Sequence, residues 1–120
     1  MTNKKNISAL LITYNEIKHI KAVINNISFA DEIIVIDSFS DDGTYQELQK
    51  LTHVKIIQRR FKNFADQRNF AIKQANANWI LFIDADERIT KKLEQEIKLE
   101  TTKNDNKISG FMVKRLYYFK

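Results

Sequence analysis

The chain has 120 residues, of which 43% are hydrophobic and 29% charged, and a formal net charge of +5, which predicts one soluble domain over residues 1–120 that buries roughly 65% of its unfolded surface. Because it has no Cys and two His, disulfides, Cys-ligated zinc, thiol catalysis and a His metal cluster are excluded. With two Gly and no Pro it cannot form a P-loop or a dinucleotide-binding fingerprint, so a bound phosphate needs another source of positive charge.

Apolar runs alternate with helical patterns along the whole chain. The runs typical of strands are Ile7–Ile12, Glu32–Ile36, Val54–Ile57, Trp79–Ile83 and Gly110–Phe119. Lys55 interrupts the third run, which places that strand nearer an edge of the sheet. The alternation predicts an α/β fold with an open, mostly parallel sheet and flanking helices in three α/β/α layers.

The first two helices are predicted from their start signals and apolar spacing. Asn15 is placed to cap the first helix. The residues expected on its buried face are Ile17, Ile20, Val23, Ile24 and Ile27. Thr44 and Glu47 have the form of a capping box for the second helix. The apolar residues of that helix are Tyr45, Leu48 and Leu51.

The third and fourth helices are predicted on the same grounds. Asn63 is placed to cap a helix that runs to about Asn76. The residues expected to face inward on it are Phe64, Ala71 and Ala75. Thr90 is placed to cap the fourth helix, where Leu93, Ile97 and Leu99 are expected to pack.

An acidic pair follows the fourth strand. In extended backbone, positions i and i+2 project to the same side, so Asp84 and Asp86 can converge on one cation. Hard divalent cations such as Mg²⁺ or Mn²⁺ favour such oxygen ligands. The alternative is that the two Asp only open a turn before the next helix.

Polar residues follow three of the predicted strands: Thr13–Glu16, Asp37 and Asp84–Asp86. Ligands bind open α/β sheets outside the carboxyl ends of the strands, so these residues are expected to share one site. A purely structural role stays open for each candidate residue. In these alternatives Tyr14 only ends a strand and Asp37 bonds loop amides at a turn. Arg68, on the third helix, pairs with Asp66 or Glu87.

The motifs themselves suggest a family. Ala-Leu-Leu-Ile-Thr-Tyr-Asn-Glu, Ile-Val-Ile-Asp-Ser-Phe-Ser-Asp-Asp-Gly-Thr, Gln-Arg-Asn-Phe-Ala and Ile-Asp-Ala-Asp-Glu occur in that order. The chain resembles family 2 glycosyltransferases from Ile7 to Phe119. Around Ala30–Glu32 and Asp84–Glu87 it is most similar to the bacterial subgroup that adds sugars to the lipopolysaccharide core.

The resemblance implies a GT-A nucleotide-sugar-binding fold and a UDP-sugar donor. It also implies a divalent metal, Mg²⁺ or Mn²⁺, and inverting transfer to a glycan or lipopolysaccharide-core acceptor. On matching positions, Thr13 and Tyr14, with Glu16, would line the nucleoside pocket. Asp37 would accept hydrogen bonds from the uracil or ribose.

The resemblance also assigns the diphosphate end of the donor. Arg68 matches a donor-contacting arginine. Asp84 would face the ribose or a metal-bound water, and Asp86 would ligate the metal that bridges the diphosphate. A metal there would neutralise the charge that develops on the leaving diphosphate.

An inverting transfer also needs a general base for the acceptor hydroxyl. The nearby acids Glu16, Asp66 and Glu87 do not match the position of the family's base, which lies in a later segment. The catalytic base is therefore unknown. The expectation is the donor-binding half of a longer enzyme, truncated before its acceptor-binding part, which binds UDP with metal and turns over little sugar.

Two other classes remain as alternatives. A receiver-type signalling domain has a similar length, but its acidic pair follows the first strand, where this chain has Thr13–Asn15. A catalytically silent nucleotide-binding module is the second alternative, and its sequence differs little from that of a truncated enzyme.

Location and partners are predicted from the charge and the apolar runs. Scattered basic residues without a polybasic segment predict no nucleic-acid binding. No apolar run approaches a membrane span or signal peptide, which predicts a cytoplasmic protein, and its positive charge would favour peripheral association with the inner membrane.

Overall fold

The computed structural model describes residues 5–103, in which strands and helices alternate strictly. The elements are β1 (Ile7–Thr13), α1 (Ile20–Asn26), β2 (Glu32–Asp37), α2 (Thr44–Gln49), β3 (Val54–Gln58), α3 (Phe64–Gln74), β4 (Trp79–Phe82) and α4 (Lys91–Lys103). All strand pairs are parallel, and the sheet order is β3-β2-β1-β4. The predicted α/β class and the edge position of β3 are confirmed.

The strand order brings the candidate site residues to one edge of the sheet. β1 is central and pairs with β2 up to Thr13 opposite Asp37. On its other side β1 pairs with β4, up to Leu10 opposite Phe82. The direction of chain progression reverses between β1 and β4, and such a switch point opens a crevice at the carboxyl ends of the strands.

The core lies on both faces of the sheet. The buried apolar side chains with no exposed surface include Leu10, Leu11, Ile34, Val35, Ile36 and Leu81. Right-handed crossovers put α1 and α2 on one face, where they contact each other, and α3 on the other face, where it packs against β1 and β2. This gives the predicted three layers.

The start of α1 differs from the prediction. The helix begins at Ile20 after His19, which makes no side-chain cap. Asn15 is not a cap, because its backbone is left-handed (φ 54°) and its side-chain oxygen accepts from the N–H of Asp41 at 2.8 Å. Ile17 therefore precedes the helix and is 40% exposed instead of buried.

The predicted capping box of α2 is also wrong. The N-cap is Gly43, at φ +102°, a backbone conformation in which a side chain would be strained. Thr44 is the first helical residue, and its hydroxyl donates to Asp42 and accepts from the N–H of Glu16. The hydroxyl is therefore used between loops, while Leu48 is fully buried as predicted.

The cap of α3 is confirmed, but one of its predicted core residues is wrong. Asn63 accepts a hydrogen bond from the N–H of Asp66 at 2.8 Å. Ala71 is buried as predicted. Phe64 is 63% exposed, because at the first position of the helix its ring packs against Phe61 instead of the sheet.

The cap of α4 is confirmed as well. The N–H of Leu93 donates to the Thr90 hydroxyl at 3.1 Å, and Ile97 is fully buried. Leu99 is 60% exposed, since two positions along a helix turn it to the opposite face. The predicted strand Gly110–Phe119 lies outside the described residues. None of the helices between residues 5 and 103 is both long and apolar enough to span a bilayer.

Candidate functional site

The loops after β1 and β2 are joined by backbone-to-side-chain hydrogen bonds. The N–H of Asn15 donates to the Ser40 hydroxyl at 2.8 Å, and the N–H of Glu16 donates to the Thr44 hydroxyl at 2.9 Å. The N–H of Ile17 donates to Asp42 at 3.2 Å. Each loop therefore holds the other in place, which fixes the backbone that carries Thr13, Tyr14 and Glu16.

Asp42 is the acidic anchor of this junction. One of its oxygens accepts from the N–H and hydroxyl of Thr44, and the other accepts from Ile17. Desolvation acts to raise the pKa of Asp42, but these hydrogen bonds outweigh it and lower the pKa below the ordinary value. The hydrogen bonds therefore favour the carboxylate form, which accepts from both loops.

Asp37 lies at the end of β2 and has no exposed surface. One oxygen accepts from the Thr13 and Ser40 hydroxyls at 2.8 and 2.6 Å. The other accepts from the Ser40 N–H at 2.9 Å and from the Gln58 amide at 3.3 Å. These bonds use the roughly four acceptor positions of a carboxylate. In this conformation Asp37 organises the loop, as the structural alternative expects, and a direct nucleoside contact stays a prediction.

A second buried polar residue, Gln67, was not predicted as part of the site. It has no exposed surface, and its amide donates to the Ser38 hydroxyl at 3.2 Å and to the Arg59 carbonyl at 3.0 Å. Its oxygen accepts from the Arg59 guanidinium at 2.7 Å. Arg59 also pairs with Asp66, and that hydrogen bond lowers the pKa of Asp66. The start of α3 is thus fixed to the end of β2.

A cavity of about 420 Å³ opens at the carboxyl ends of β1 and β2. Its lining residues are Ile12, Thr13, Tyr14, Glu16, Ser38, Phe61 and Phe64. Three of the residues expected at a nucleoside pocket, Thr13, Tyr14 and Glu16, are therefore brought together. Phe61 and Phe64 were missed, although two aromatic residues in a polar stretch after an edge strand are a signal that sequence reasoning could have used.

The acidic pair lies on an ordered turn after β4. Asp84 and Asp86 are both exposed, and the N–H of Asp84 donates to the Glu87 carboxylate at 2.9 Å. The turn is also held from α1, because Asn26 donates to the Ile89 carbonyl at 3.0 Å and accepts from the Ile89 N–H at 2.7 Å. Asn26 was not predicted, since its partner lies far along the chain.

Electrostatics link this turn to the cavity. Burial and then the negative charges of Asp86 and Asp84 raise the pKa of Glu16 above its ordinary value, while His19 acts in the opposite direction. Glu16 therefore lies within the field of the acidic pair. Within residues 5–103, no group of three or more His, Cys, Asp or Glu side chains is placed to hold a metal ion.

The acidic turn nevertheless fits a divalent metal that is completed by a ligand. Mg²⁺ is commonly bound by one or two carboxylates together with substrate phosphates and water. Asp84 and Asp86 supply two exposed carboxylates at a strand end, and after burial their negative charges help to raise the pKa of Glu16. A cation would relieve that charge.

Arg68 lies beside the end of β4. Its guanidinium carbon lies 5.2 Å from the centroid of the Phe82 ring, two residues before Asp84. Its Nε is buried and has no hydrogen-bond partner among the described residues. Of the two alternative pairings, the one with Asp66 is not formed, and Asp66 pairs with Arg59 instead. The pairing with Glu87 stays a prediction. An unsatisfied buried donor of this kind is consistent with an anionic ligand.

The sequence matches a protein-family model over most of the chain. The model of the family described as Glycosyl transferase family 2 matches residues 8–114. The chain belongs to glycosyltransferase family 2. This membership decides against the receiver-type alternative, and it agrees with a site at the switch point of the sheet.

The chain is similar to two curated glycosyltransferases. It is 36% identical over 114 residues to an uncharacterized glycosyltransferase of Rickettsia bellii, covering 93% of this chain and 38% of that protein. It is 31% identical over 122 residues to the lipopolysaccharide core biosynthesis glycosyltransferase LpsC of Rhizobium meliloti, covering 98% of this chain and 45% of that protein. The chain thus spans less than half the length of these relatives.

A similar solved structure is that of S. aureus TarS residues 1–349. It matches with a TM-score of 0.72 and 27% identity over 83% of this chain and 33% of that one. The fold is therefore of the GT-A type, as the resemblance implied.

Proposed function

We propose that this family 2 domain binds a UDP-sugar and supports inverting transfer of the sugar to a glycan or lipopolysaccharide-core acceptor. The observation that carries the proposal is the meeting of an aromatic cavity, an acidic turn and an arginine at the carboxyl ends of β1, β2 and β4. A nucleoside diphosphate has matching parts: a planar base, a ribose and two charged phosphates.

The nucleoside would occupy the cavity beside β1. Thr13 is 1% exposed and its hydroxyl already donates to Asp37, so its contribution is to shape the wall. Tyr14 is 55% exposed and offers a ring face to the ligand. Glu16 lines the cavity and lies within the field of the acidic pair, and its carboxylate can accept from ribose hydroxyls. Asp37 would contact the nucleoside only by exchanging a present partner, most simply Gln58 at 3.3 Å.

The diphosphate would lie between Arg68 and the acidic turn. Asp86 would ligate Mg²⁺ or Mn²⁺, and Asp84 would face the ribose or a metal-bound water. Such a metal, when bound, supplies Lewis-acid stabilisation of the leaving diphosphate. The Nε of Arg68 would gain an anionic partner in the donor complex, and a hydrogen bond between charged groups is stronger than one between neutral groups.

The acceptor and location are proposed on more general grounds. LpsC is by its name a lipopolysaccharide core enzyme, and this likeness supports a core or other glycan acceptor for the present chain. The net charge of +5 supports peripheral association with an anionic membrane surface, and the proposed location is the cytoplasmic face of the inner membrane. The base that activates the acceptor hydroxyl remains unassigned, and nucleic acid is not proposed as a partner.

The proposal is tested by replacing Asp86 with Ala and measuring UDP binding in the presence of Mn²⁺ by calorimetry. We expect the metal-dependent part of the affinity to be lost while the melting temperature stays near that of the wild type, because Asp86 is exposed. Asp41→Ala is the matched control, since it removes an exposed acid from a neighbouring loop. Unchanged metal-dependent binding in the Asp86 variant would remove the metal assignment.

A further inference from the structure

The loop that leads into α3 carries two exposed aromatic side chains. Phe61 is 45% exposed and Phe64 is 63% exposed. Their ring centroids lie 5.2 Å apart with an interplanar angle of 79°, an edge-to-face pair. All residues from Arg60 to Ala65 are exposed. A contiguous aromatic patch left in water at this position indicates a binding surface more than a packing surface.

The position of the pair is fixed by polar residues on both sides. Arg59 is held by Asp66 and Gln67, which anchors the chain before the loop. Asn63 caps α3 through the N–H of Asp66, which sets the first helical turn. The backbone that carries the two rings is therefore already ordered, and ligand binding does not lose conformational entropy in ordering it.

The pair faces the same cavity as the loop after β1. Phe61, Phe64 and Tyr14 all line the space of about 420 Å³, together with Ser38 from the end of β2. Glu16 lines the cavity on its polar side and lies within the electrostatic field of Asp84 and Asp86. An occupant with a flat aromatic part at one end and anionic groups at the other fits this arrangement.

We propose that Phe61 and Phe64 form an aromatic wall on which the planar base of a nucleoside diphosphate stacks, and that they determine the affinity for the base part of the donor. The inference rests on the proposed donor-binding function. It adds two residues outside the motifs that suggested the family, and it assigns them to the base instead of the sugar or phosphates. Stacking of a base on an aromatic side chain contributes about 5- to 150-fold in affinity.

The test compares two ligands on three proteins. Wild type, the double variant F61L/F64L and the control Phe39→Leu are titrated by calorimetry with UDP and with inorganic pyrophosphate, each with Mn²⁺. Leu keeps an apolar side chain but removes the ring face. Phe39 is a suitable control because it is 50% exposed on the loop after β2 and does not line the cavity. Thermal melts of all three proteins establish that they are folded.

We expect F61L/F64L to bind UDP about 10-fold or more weakly than the wild type, with pyrophosphate binding unchanged. The Phe39 variant should bind both ligands as the wild type does. Equal UDP affinity in the double variant and the wild type would overturn the aromatic wall alone. Absence of UDP binding by the wild type would overturn the proposed function and this inference with it.

A membrane contact is the other use of an exposed aromatic pair beside Arg60 and Lys62. Binding to vesicles that contain anionic phospholipid distinguishes a membrane contact from base stacking. If F61L/F64L loses vesicle binding while its UDP affinity is unchanged, the pair contacts lipid and the inference is wrong. Loss of UDP affinity in the absence of vesicles supports the aromatic wall.

Discussion

Replacing Asp37 with Ala is expected to lower the free energy of unfolding by about 4 kcal/mol. The side chain is fully buried, and its carboxylate accepts four hydrogen bonds. A hydrogen bond to a charged group contributes about 1.5–3 kcal/mol, and a buried donor without a partner costs about 1–3 kcal/mol. Water can reach the partly buried Ser40 and Gln58, so the largest single loss falls on Thr13, which is 1% exposed.

Asp37→Asn separates the shape of this side chain from its charge. The Asn oxygen can still accept from the N–H of Ser40, and the hydroxyls of Thr13 and Ser40 can rotate to accept from its amide. Only the charge assistance is lost, so we expect a decrease of about 1–2 kcal/mol.

Urea unfolding followed by circular dichroism measures both variants. Asp41→Ala serves as the control, because its side chain is exposed in the same loop. At roughly 4 °C per kcal/mol for a domain of this size, Asp37→Ala should also melt about 15 °C below the wild type. A loss in Asp37→Ala no larger than that in the control would refute the role assigned to Asp37 in holding the loops.

Two further changes address the acidic side of the site. Asn26→Ala removes both hydrogen bonds to Ile89 and should weaken Mn²⁺ binding about 10-fold, as measured by calorimetry. The control Asn25→Ala, exposed on the same helix, should not weaken it. Equal effects of the two variants would contradict the role of Asn26 in holding the acidic turn. The raised pKa of Glu16 means that its contribution to stability is present below the ordinary value of 4.5 and is lost as pH rises through the folded pKa. Without metal, Glu16→Gln should therefore melt higher than the wild type near neutral pH and lose this advantage below pH 4.5; an advantage independent of pH would contradict the sign.

The strands could be predicted from the sequence because buried parallel strands are continuous apolar runs. Leu10 and Leu11, for example, are adjacent and both fully buried, which a half-exposed strand does not allow. The caps at Asn63 and Thr90 could also be predicted, since each bonds within its own helix turn. These strands and caps depend on residues close in sequence, so a local sequence pattern is enough to predict them.

Two of the errors arose where a side chain is used by a distant part of the chain. Asn15 and Thr44 have the types of helix caps, but each bonds the other loop at the carboxyl end of the sheet. Phe64 follows the helical period of core residues, yet it lies at the edge of the cavity. Spacing alone cannot show which loop will meet which, and the strand order decides it.

The candidate site was predictable to a similar extent. Thr13, Tyr14 and Glu16 share a cavity because β1 ends there, as the rule for parallel sheets predicts. Gln67 and Asn26 could not be found this way, because their hydrogen bonds join segments whose proximity depends on the packing of α3 and α1 against the sheet.

The most direct test of the account is titration of the folded wild-type chain with UDP, with Mn²⁺ and again with a chelator. The cavity beside β1 and the acidic turn at Asp84 and Asp86 predict saturable binding that becomes much weaker when the metal is removed. UDP binding of equal strength in the chelator, or no binding to a chain shown to be folded, would contradict the claim that this edge of the sheet holds a nucleoside diphosphate through a metal.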